Sequence, residues 1–266
     1  MKEKNFGAFF VKRDSEIALM EESCRILGET FRVIKNYIKP GIETIELDKI
    51  AEDFIRSNNA KPAFKGYEVD DKFFPNTLCI SIDEEVIHGL PGSRKLKEGE
   101  IVSVDCGVEK NGYFGDAAYT FPVGEISEFK RRLMRVTKEA LMLGIEQAVT
   151  RNKLYDISRT IQTHCERHGY NVTRELIGHG IGKALHEDPP VPNYVPPLLY
   201  RNKYPNIKLQ RGMTIAIEPM VLAGTKDVRT KSDGWTVITA DRKPAAHFEH
   251  TVVIDDGKPV ILTMWE

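Results

Sequence analysis

The feature that most constrains the fold of this chain is a repeated segment that ends, in each copy, on a carboxylate. Residues 96–99 (LKEG) lead through an apolar run to Asp105, and residues 209–212 (LQRG) lead through a second apolar run to Glu218. The spacing between the two Leu-Xaa-Xaa-Gly segments equals the spacing between the two carboxylates. Two related halves that face each other form a cleft at their junction, which is where sites commonly lie.

Each copy follows two segments with the apolar periodicity of helices. In residues 15–37 apolar side chains recur at helical spacing, and Pro40-Gly41 ends the pattern. The same pattern predicts further helices over residues 44–57, 128–149 and 154–168. The order of elements predicts one domain, 1–266, whose halves of about 15–125 and 126–266 are related by duplication.

The segments between the helices are predicted as strands and loops. Strand-like runs occur at residues 77–82 and 101–105. An aromatic-rich loop is predicted over residues 61–75. The Pro/Tyr-rich stretch 189–205 is predicted to be a surface excursion.

Composition limits the class of function. The chain has 266 residues with 38 basic and 39 acidic side chains, a formal net charge of −1. This balance argues against nucleic acid or an acidic membrane surface as the main partner. Residues 1–16 lack the apolar core of a secretory signal, and no run approaches the roughly 18 apolar residues of a membrane span. Four scattered cysteines argue against a cysteine zinc site or a disulfide framework. We expect a soluble, cytoplasmic protein.

The pair Asn111-Gly112 joins two strand-like runs and predicts a two-residue hairpin turn. With that turn, Gly107 faces Asp116, and Asp105 lies on the same face as Gly107. The two carboxylates become diagonal neighbours, about 7–8 Å apart at the backbone. Carboxylates that close repel each other unless a proton or cation lies between them. On this segment alone, a plain surface hairpin with two solvated aspartates fits equally well.

Two further carboxylates and three histidines are candidate site residues because of the residues next to them in the sequence. Glu218 ends one apolar strand and Glu249 leads into another. His179 lies between glycines, which allow backbone and imidazole to approach a ligand closely, and His88 repeats its His-Gly-apolar pattern. His186 follows His179 by seven residues. Taken singly, each residue also fits an ordinary strand edge or tight turn.

Together, the four carboxylates and one imidazole form a plausible ligand set for two divalent ions about 3.5–4 Å apart. An oxygen-rich set with one nitrogen suits Mn, Fe, Co or Zn better than magnesium. His88 and His186 are left available for substrate and proton work. The five predicted ligands are Asp105, Asp116, His179, Glu218 and Glu249.

Seven short motifs, in this order, resemble those of the type I methionine aminopeptidases, which are M24 peptidases of the pita-bread fold. The resemblance runs over nearly the whole chain. It implies an α+β fold with two pseudo-symmetric αβ halves around a central antiparallel sheet, in agreement with the repeat. The motifs are VIHGLP (86–91), VSVDCG (102–107), GDA (115–117), GHGIG (178–182), LHEDP (185–189), IEPM (217–220) and EHT (249–251).

The resemblance implies an enzyme that removes the initiator methionine from nascent proteins with a hydroxide bridged between two divalent metal ions (Co, Mn, Fe or Zn). Asp105 would chelate one ion, while His179 and Glu218 hold the other. Asp116 and Glu249 would bridge both ions. One ion would also receive the free α-amino group of the substrate.

The resemblance also assigns catalytic and pocket residues. Glu218 would relay the proton, His186 would hydrogen-bond the scissile carbonyl, and His88 would contact the scissile nitrogen. Two departures from the bacterial pattern, Phe64 and Leu185, stand where cysteine and phenylalanine are usual, and a few extra residues precede Phe74. The apolar pocket for methionine would consist of Tyr67, Phe74, Cys79 and Trp235.

The expected partner is the N-terminal methionine of nascent polypeptides. A transient ribosome contact is compatible with that substrate, and a monomer needs no further partner. Three alternatives are an Xaa-Pro peptidase, a creatinase-type amidinohydrolase and a non-catalytic binding protein of the same fold. The first two commonly carry a large extra N-terminal domain, whereas the third type loses metal ligands and gains basic extensions. The complete ligand set and the short segment before the first helix favour the methionine enzyme.

Overall fold

The structure, a computed structural model, describes residues 11–266. Residues 1–10, which belong to the predicted single domain and to the segment searched for a secretory signal, lie outside the described residues. The four predicted helices are confirmed, although the third ends at Glu146 and not at residue 149. The helices are α1 (Asp14–Lys35), α2 (Thr44–Ser57), α3 (Glu128–Glu146) and α4 (Leu154–Arg167).

The strands are mostly short, and the two longest flank the Asn-Gly turn. A 3₁₀ turn lies at Leu198–Tyr200. In chain order the strands are β1 (Lys61–Pro62), β2 (Glu68–Val69), β3 (Lys72–Phe73), β4 (Leu78–Ile82), β5 (Glu85–Ile87), β6 (Ile101–Lys110), β7 (Tyr113–Pro122), β8 (Asn171–Val172), β9 (Gly178–Gly180), β10 (Glu187–Val191), β11 (Thr214–Ile217), β12 (Met220–Leu222), β13 (Val228–Thr230), β14 (Val237–Thr239), β15 (Ala245–His247), β16 (His250–Val253) and β17 (Val260–Ile261).

The first half is organised around β6. This strand pairs with β7 along one edge and with β1 and β4 along the other. The hairpin register is the predicted one, because Lys110 pairs with Tyr113 and Gly107 pairs with Asp116. Apolar faces of α1 and α2, including Leu27 and Phe31, pack on this sheet to form one hydrophobic core.

The second half repeats this plan with β11 and β16. Ile217 pairs with His250, and after a short interruption Met220 pairs with His247 in the same register. Within that register Glu218 lies opposite Glu249. Helices α3 and α4 pack over these strands and close a second core. Each half therefore presents two carboxylates from a pair of antiparallel strands.

The two halves meet where β7 runs beside β16. The Asp116 amide donates to Thr251 Oγ1 (3.0 Å), and the Thr251 hydroxyl donates to the Asp116 carbonyl (2.8 Å). The Glu249 amide donates to the Ala118 carbonyl (2.9 Å). These bonds place the carboxylates of one half beside those of the other. The fold is the predicted α+β pita-bread architecture, with two pseudo-symmetric halves around antiparallel strands.

The chain ends cross between the halves. Trp265 stacks on Phe31 in the core of the first half, with ring centroids 5.6 Å apart. Lys12 forms an ion pair with Glu187 of the second half (2.6 Å), and Val11 bridges to Met213. These contacts hold the halves together outside the central sheet.

Two loop predictions were partly wrong. The first part of residues 189–205 is not a surface excursion, because β10 pairs with β9 and Asn193 is fully buried. Proline is tolerated there because β10 is an edge strand. The excursion is confined to the segment around Leu198 and Leu199, which are 76% and 82% exposed. Residues 61–75 are not one loop, since β1 joins the first sheet and β2 and β3 form a small hairpin.

Two findings bear on the cell environment. No helix within residues 11–266 has the length and apolar character to cross a bilayer. All four cysteines fall within the described residues, and each is a buried free thiol.

Candidate active site

A cavity of about 350 Å³ lies at the junction of the halves and forms the cleft. Every residue that the sequence analysis assigned to the site lines it. Four apolar lining residues were not predicted: Val69, Ile87, Leu176 and Ile177. The predicted lining residues are Phe64, Tyr67, Phe74, Cys79, His88, Asp105, Asp116, His179, Leu185, His186, Glu218, Trp235 and Glu249.

The four carboxylates are buried and incompletely hydrogen-bonded. Asp105, Asp116, Glu218 and Glu249 are 7%, 4%, 6% and 2% exposed. Within residues 11–266 no hydrogen-bond partner contacts Asp105 Oδ1, Asp116 Oδ1 or Glu249 Oε1. Buried acceptors without donors are costly and uncommon in native proteins. A ligand that supplies positive charge at these oxygens resolves that cost.

Electrostatics in this cluster are correspondingly perturbed. Burial raises the pKa of Asp105 to about 8. Burial and the neighbouring Asp105 and Glu218 raise the pKa of Asp116 well above its usual value. Burial and the other acids raise the pKa of Glu218 and of Glu249 in the same direction. Without a cation, the cluster therefore holds protons at neutral pH.

His179 brings a nitrogen to this cluster in a fixed tautomer. Its Nδ1–H donates to the Gly180 carbonyl (2.9 Å), which leaves the Nε2 lone pair free. Nε2 lies 3.6 Å from Glu218 Oε1 and 3.8 Å from Asp116 Oδ2. Burial lowers the pKa of His179 to about 3, so the ring is neutral near pH 7.

The cluster fits a divalent metal centre. Asp116, His179 and Glu249 each offer one ligand atom within 4.8 Å of the other two. Asp105 and Glu218 complete a donor set of carboxylate oxygens and one imidazole nitrogen, which suits Mn, Fe, Co or Zn. The hydrogen bond from His179 Nδ1–H to the Gly180 carbonyl is of the kind that a metal-binding histidine usually makes with its other ring nitrogen.

His88 is held in an unusual backbone conformation at the cleft wall. Its φ is +58°, in the left-handed region that non-glycine residues seldom adopt. The next residue, Gly89, fixes this turn: its amide donates to Ser81 Oγ (3.1 Å) and its carbonyl accepts from the Ile80 amide (2.8 Å). Burial and the neighbouring His186 lower the pKa of His88 to about 4.

We expect Gly89→Ala to destabilise the protein by about 3 kcal/mol, because a rigid backbone atom blocks the added methyl. A Cβ at this position falls 2.1 Å from the Ile80 carbonyl oxygen of β4. The matched control is Gly92→Ala, where no described atom lies within 4 Å of the added carbon; this variant should stay within about 0.5 kcal/mol of the parent. Urea unfolding measures both, and equal stabilities of the two variants would contradict the close approach at Gly89.

His186 faces the cleft and is oriented by Tyr67. The Tyr67 hydroxyl lies 2.7 Å from His186 Nδ1, and the two rings are 5.1 Å apart. Withdrawal from water raises the pKa of Tyr67 and lowers that of His186. Both groups are therefore neutral, and one hydrogen bond joins the Tyr67 hydroxyl to Nδ1 and fixes the orientation of the ring.

An apolar pocket adjoins the cluster of buried carboxylates and His179. Phe74 packs edge-on against Trp235 (5.2 Å between centroids) and against Phe64 (6.5 Å). Cys79 pairs with Asp105 in the sheet, and burial raises the pKa of its thiol well above the usual range, so it is a neutral apolar surface. Leu185 is 2% exposed and lines the same cavity.

His247 is a residue near the site to which the sequence analysis gave no role. It is 1% exposed, and its Nε2 lies 3.9 Å from Glu218 Oε2. Neither ring nitrogen has a hydrogen-bond partner within the described chain. The available signal is the two-residue period of strands, which puts His247 on the same face as Glu249.

Comparisons with known proteins agree with this geometry. The model of metallopeptidase family M24 matches residues 18–256. A methionine aminopeptidase of Clostridium acetobutylicum is 52% identical over 96% of this chain and 99% of its own length. Methionine aminopeptidase 1 of Bacillus subtilis is 48% identical over 95% of this chain and 98% of its own length. The methionine aminopeptidase structure from Thermotoga maritima superposes with a TM-score of 0.89 at 41% identity, covering 95% of this chain and 98% of that one.

Proposed function

Since the chain belongs to metallopeptidase family M24, we infer that it removes the N-terminal methionine of newly made polypeptides by metal-dependent hydrolysis of the first peptide bond. The observation that carries this function is a cluster of buried carboxylates, with unpaired oxygens, beside an apolar pocket in one cavity. Relatives that match nearly the whole chain are named methionine aminopeptidases.

The metal requirement is assigned to five side chains. Asp105, Asp116, His179, Glu218 and Glu249 would together hold two divalent ions, which would be Co, Mn, Fe or Zn. The support for this assignment is the neutral Nε2 of His179 and the unpaired oxygens of the buried carboxylates. When bound, such ions supply Lewis-acid activation of water and of the peptide carbonyl.

Proton movement is assigned to Glu218, with His186 and His88 acting on the peptide. Glu218 lines the cavity and accepts the proton that water loses on attack. His186, whose Nε2 is free because Tyr67 occupies Nδ1, donates to the scissile carbonyl and stabilises the charge that develops there. His88, held at the cleft wall, contacts the scissile nitrogen as it leaves.

The methionine side chain is assigned to the pocket of Tyr67, Phe74, Cys79 and Trp235. Apolar walls favour an unbranched thioether, and polarisable sulfur makes favourable contacts with aromatic rings. Phe64 packs against Phe74 and thus shapes the far wall. A charged first residue loses its hydration in such a pocket without gaining a partner.

Tyr67→Phe is expected to lower kcat/KM about tenfold, equivalent to about 1.4 kcal/mol, because His186 loses the bond that fixes its ring. Steady-state kinetics on a Met-Ala-Ser peptide measure this change. Tyr155→Phe is the matched control: it deletes a tyrosine hydroxyl that donates to the Tyr204 carbonyl, away from the cleft. An unchanged kcat/KM in Tyr67→Phe would remove Tyr67 from the orienting role.

The test of the proposed function is peptide hydrolysis by metal-stripped protein before and after addition of Mn or Co. Metal-restored release of methionine from Met-Ala-Ser, with Ala-Pro-Ala left intact, is the expected result. Cleavage of the proline peptide alone would move the assignment to the Xaa-Pro peptidases. A prolidase structure from Pyrococcus furiosus shares the fold of this chain at 23% identity, with a TM-score of 0.77. Cleavage of neither peptide by metal-loaded protein would refute both.

The cellular setting belongs to the same proposal. Four buried free thiols suit a reducing cytoplasm. The chain acts there as a monomer on nascent polypeptides, with transient ribosome contact. Its single catalytic domain arose by duplication of an αβ half, as the matching positions of β6 and β11 suggest.

A further inference from the structure

Two of the seven histidines lie away from the cleft, and they lie together. His164 and His168 are on the outer face of the second half, one helical turn apart at the end of α4. Glu139 of α3 faces them. The other five histidines line the cleft or flank Glu249: His88, His179, His186, His247 and His250.

The three side chains converge. One ligand atom of each lies within 4.8 Å of the other two. His164 Nε2 is 3.2 Å from Glu139 Oε2, and the two imidazole rings are 4.5 Å apart between centroids. All three residues are half-buried, so the cluster is partly withdrawn from water and still reachable from solvent.

The second imidazole is already oriented as a ligand. His168 Nδ1–H donates to the His164 carbonyl (2.8 Å), and this bond fixes the ring and leaves the Nε2 lone pair free. A metal-binding histidine typically donates its other ring N–H to a backbone carbonyl in this way. The bond is a separate observation from the clustering, because its acceptor is a backbone carbonyl of α4 and not another side chain of the cluster.

We propose that Glu139, His164 and His168 form a divalent-metal site that clamps α3 to α4. Two imidazole nitrogens and one carboxylate oxygen select a borderline ion such as Zn²⁺, with solvent completing the coordination, and they disfavour Mg²⁺ and Ca²⁺. Two arginines oppose the ion: Arg135 Nη1 lies 3.9 Å from Glu139 Oε1, and Arg132 donates to the His168 carbonyl (3.0 Å). The site is therefore weaker than a closed four-ligand structural zinc site.

Binding here stabilises the helix pair that covers β11 and β16. Because the ion contacts residues of two helices that pack together only in the folded state, it adds to the free energy of unfolding. The site does not share a ligand with the cleft, so it does not depend on the proposed function.

The test counts zinc bound to the full chain by equilibrium dialysis and elemental analysis. Three proteins are compared: the parent, the double variant His164→Gln/His168→Gln, and the control Glu166→Gln, which changes an exposed residue of α4 outside the cluster. The double variant should bind one zinc equivalent fewer than the parent, and the control should bind the parental number. Equal zinc content in all three proteins would overturn the site and leave His164 and Glu139 as an ordinary hydrogen-bonded pair.

A second variant guards against misfolding of the first. Glu139→Gln alone keeps the size of the side chain and should lower zinc affinity at this site at least tenfold, by analogy with the loss of a supporting ligand contact. Cu²⁺ bound to the parent should show nitrogen hyperfine coupling that the double variant loses in part. Unchanged zinc affinity in Glu139→Gln, with its helix content intact, would equally refute the proposal.

Discussion

Asp116→Asn is expected to lower kcat/KM for methionine release by about 10³-fold or more, a loss of about 4 kcal/mol of transition-state stabilisation. The variant keeps the size and shape of the side chain but removes the charge at the centre of the acidic cluster. It should not unfold the metal-stripped protein. Burial and the neighbouring acids raise the pKa of Asp116 well above its usual value, so the stripped protein gains little from an ionised Asp116, and the stripped variant should be about as stable as the parent.

The control for this prediction is Asp48→Asn. Asp48 is also a buried carboxylate, but both of its oxygens accept hydrogen bonds. Asp48 accepts hydrogen bonds from the Thr77 and Leu78 amides and from Asn76 Nδ2. In Asp48→Asn the new side-chain NH₂ lies opposite the Asn76 NH₂, so the hydrogen bond between the two side chains is lost. This loss costs about 1 kcal/mol of stability. Its kcat/KM per folded molecule should be unchanged. If Asp116→Asn retains activity while Asp48→Asn loses it, the carboxylates of the cleft are not the catalytic centre.

The metal-stripped protein should lose stability as pH rises above about 6.5. Burial raises the pKa of Asp105 to about 8, whereas an unfolded aspartate titrates near 3.8. Between these values the folded state retains a proton that the unfolded state has released, so the free energy of unfolding falls with rising pH. The slope is about 1.4 kcal/mol per pH unit for each retained proton.

Buried histidines set the lower limit of that window. Burial lowers the pKa of His179 and His247 to about 3 and of His88 and His250 to about 4, against an ordinary value of 6.5. Near and below pH 6.5 the unfolded state binds protons at these histidines that the folded state does not bind, which offsets the protons retained by the folded carboxyl groups and reduces the fall in stability there. As pH rises past 6.5 these histidines become neutral in both states, and the carboxyl groups then decide the slope.

Metal removes this dependence. The ligands must be deprotonated to bind an ion, so in metal-loaded protein these carboxyl groups carry no proton in either the folded or the unfolded state, and stability should stay nearly level over the same interval. Urea unfolding at pH 6.5, 7.2 and 8, with chelator or with Mn, measures both slopes. Asp105→Asn should flatten the fall in the stripped protein. Parallel slopes with and without metal would contradict the assignment of these carboxylates as ligands.

Much of the site follows from local sequence patterns. The Asn-Gly turn fixes the register of the first hairpin, and that register places Asp105 and Asp116 on one face. The repeat then identifies Glu218 as the counterpart of Asp105. Both inferences depend only on the two-residue period of strands and on the chemistry of a two-residue turn, which act over a few residues.

Other features escaped the sequence because they depend on distant segments. Residues 61–75 contain no regular alternation, and β1 forms only because β6 offers it an edge. The Pro-rich segment before Asn193 is buried because β9 and α4 cover it, with Ser158 donating to the Pro192 carbonyl (2.6 Å). The partners β6 and α4 both lie far from these segments in the chain.

The sequence by itself therefore determined the four helices, the hairpin register and the carboxylates that line the cleft, because periodicity, turn chemistry and short repeated patterns can be read directly from the chain. Only the tertiary structure decided which side chains share the cleft. Packing between segments far apart in the chain produces the apolar lining of Val69, Leu176 and Ile177, the hydrogen bond between Tyr67 and His186, and the approach of His247 to Glu218. The whole core offsets the conformational entropy lost in ordering these contacts, so no local sequence pattern identifies them.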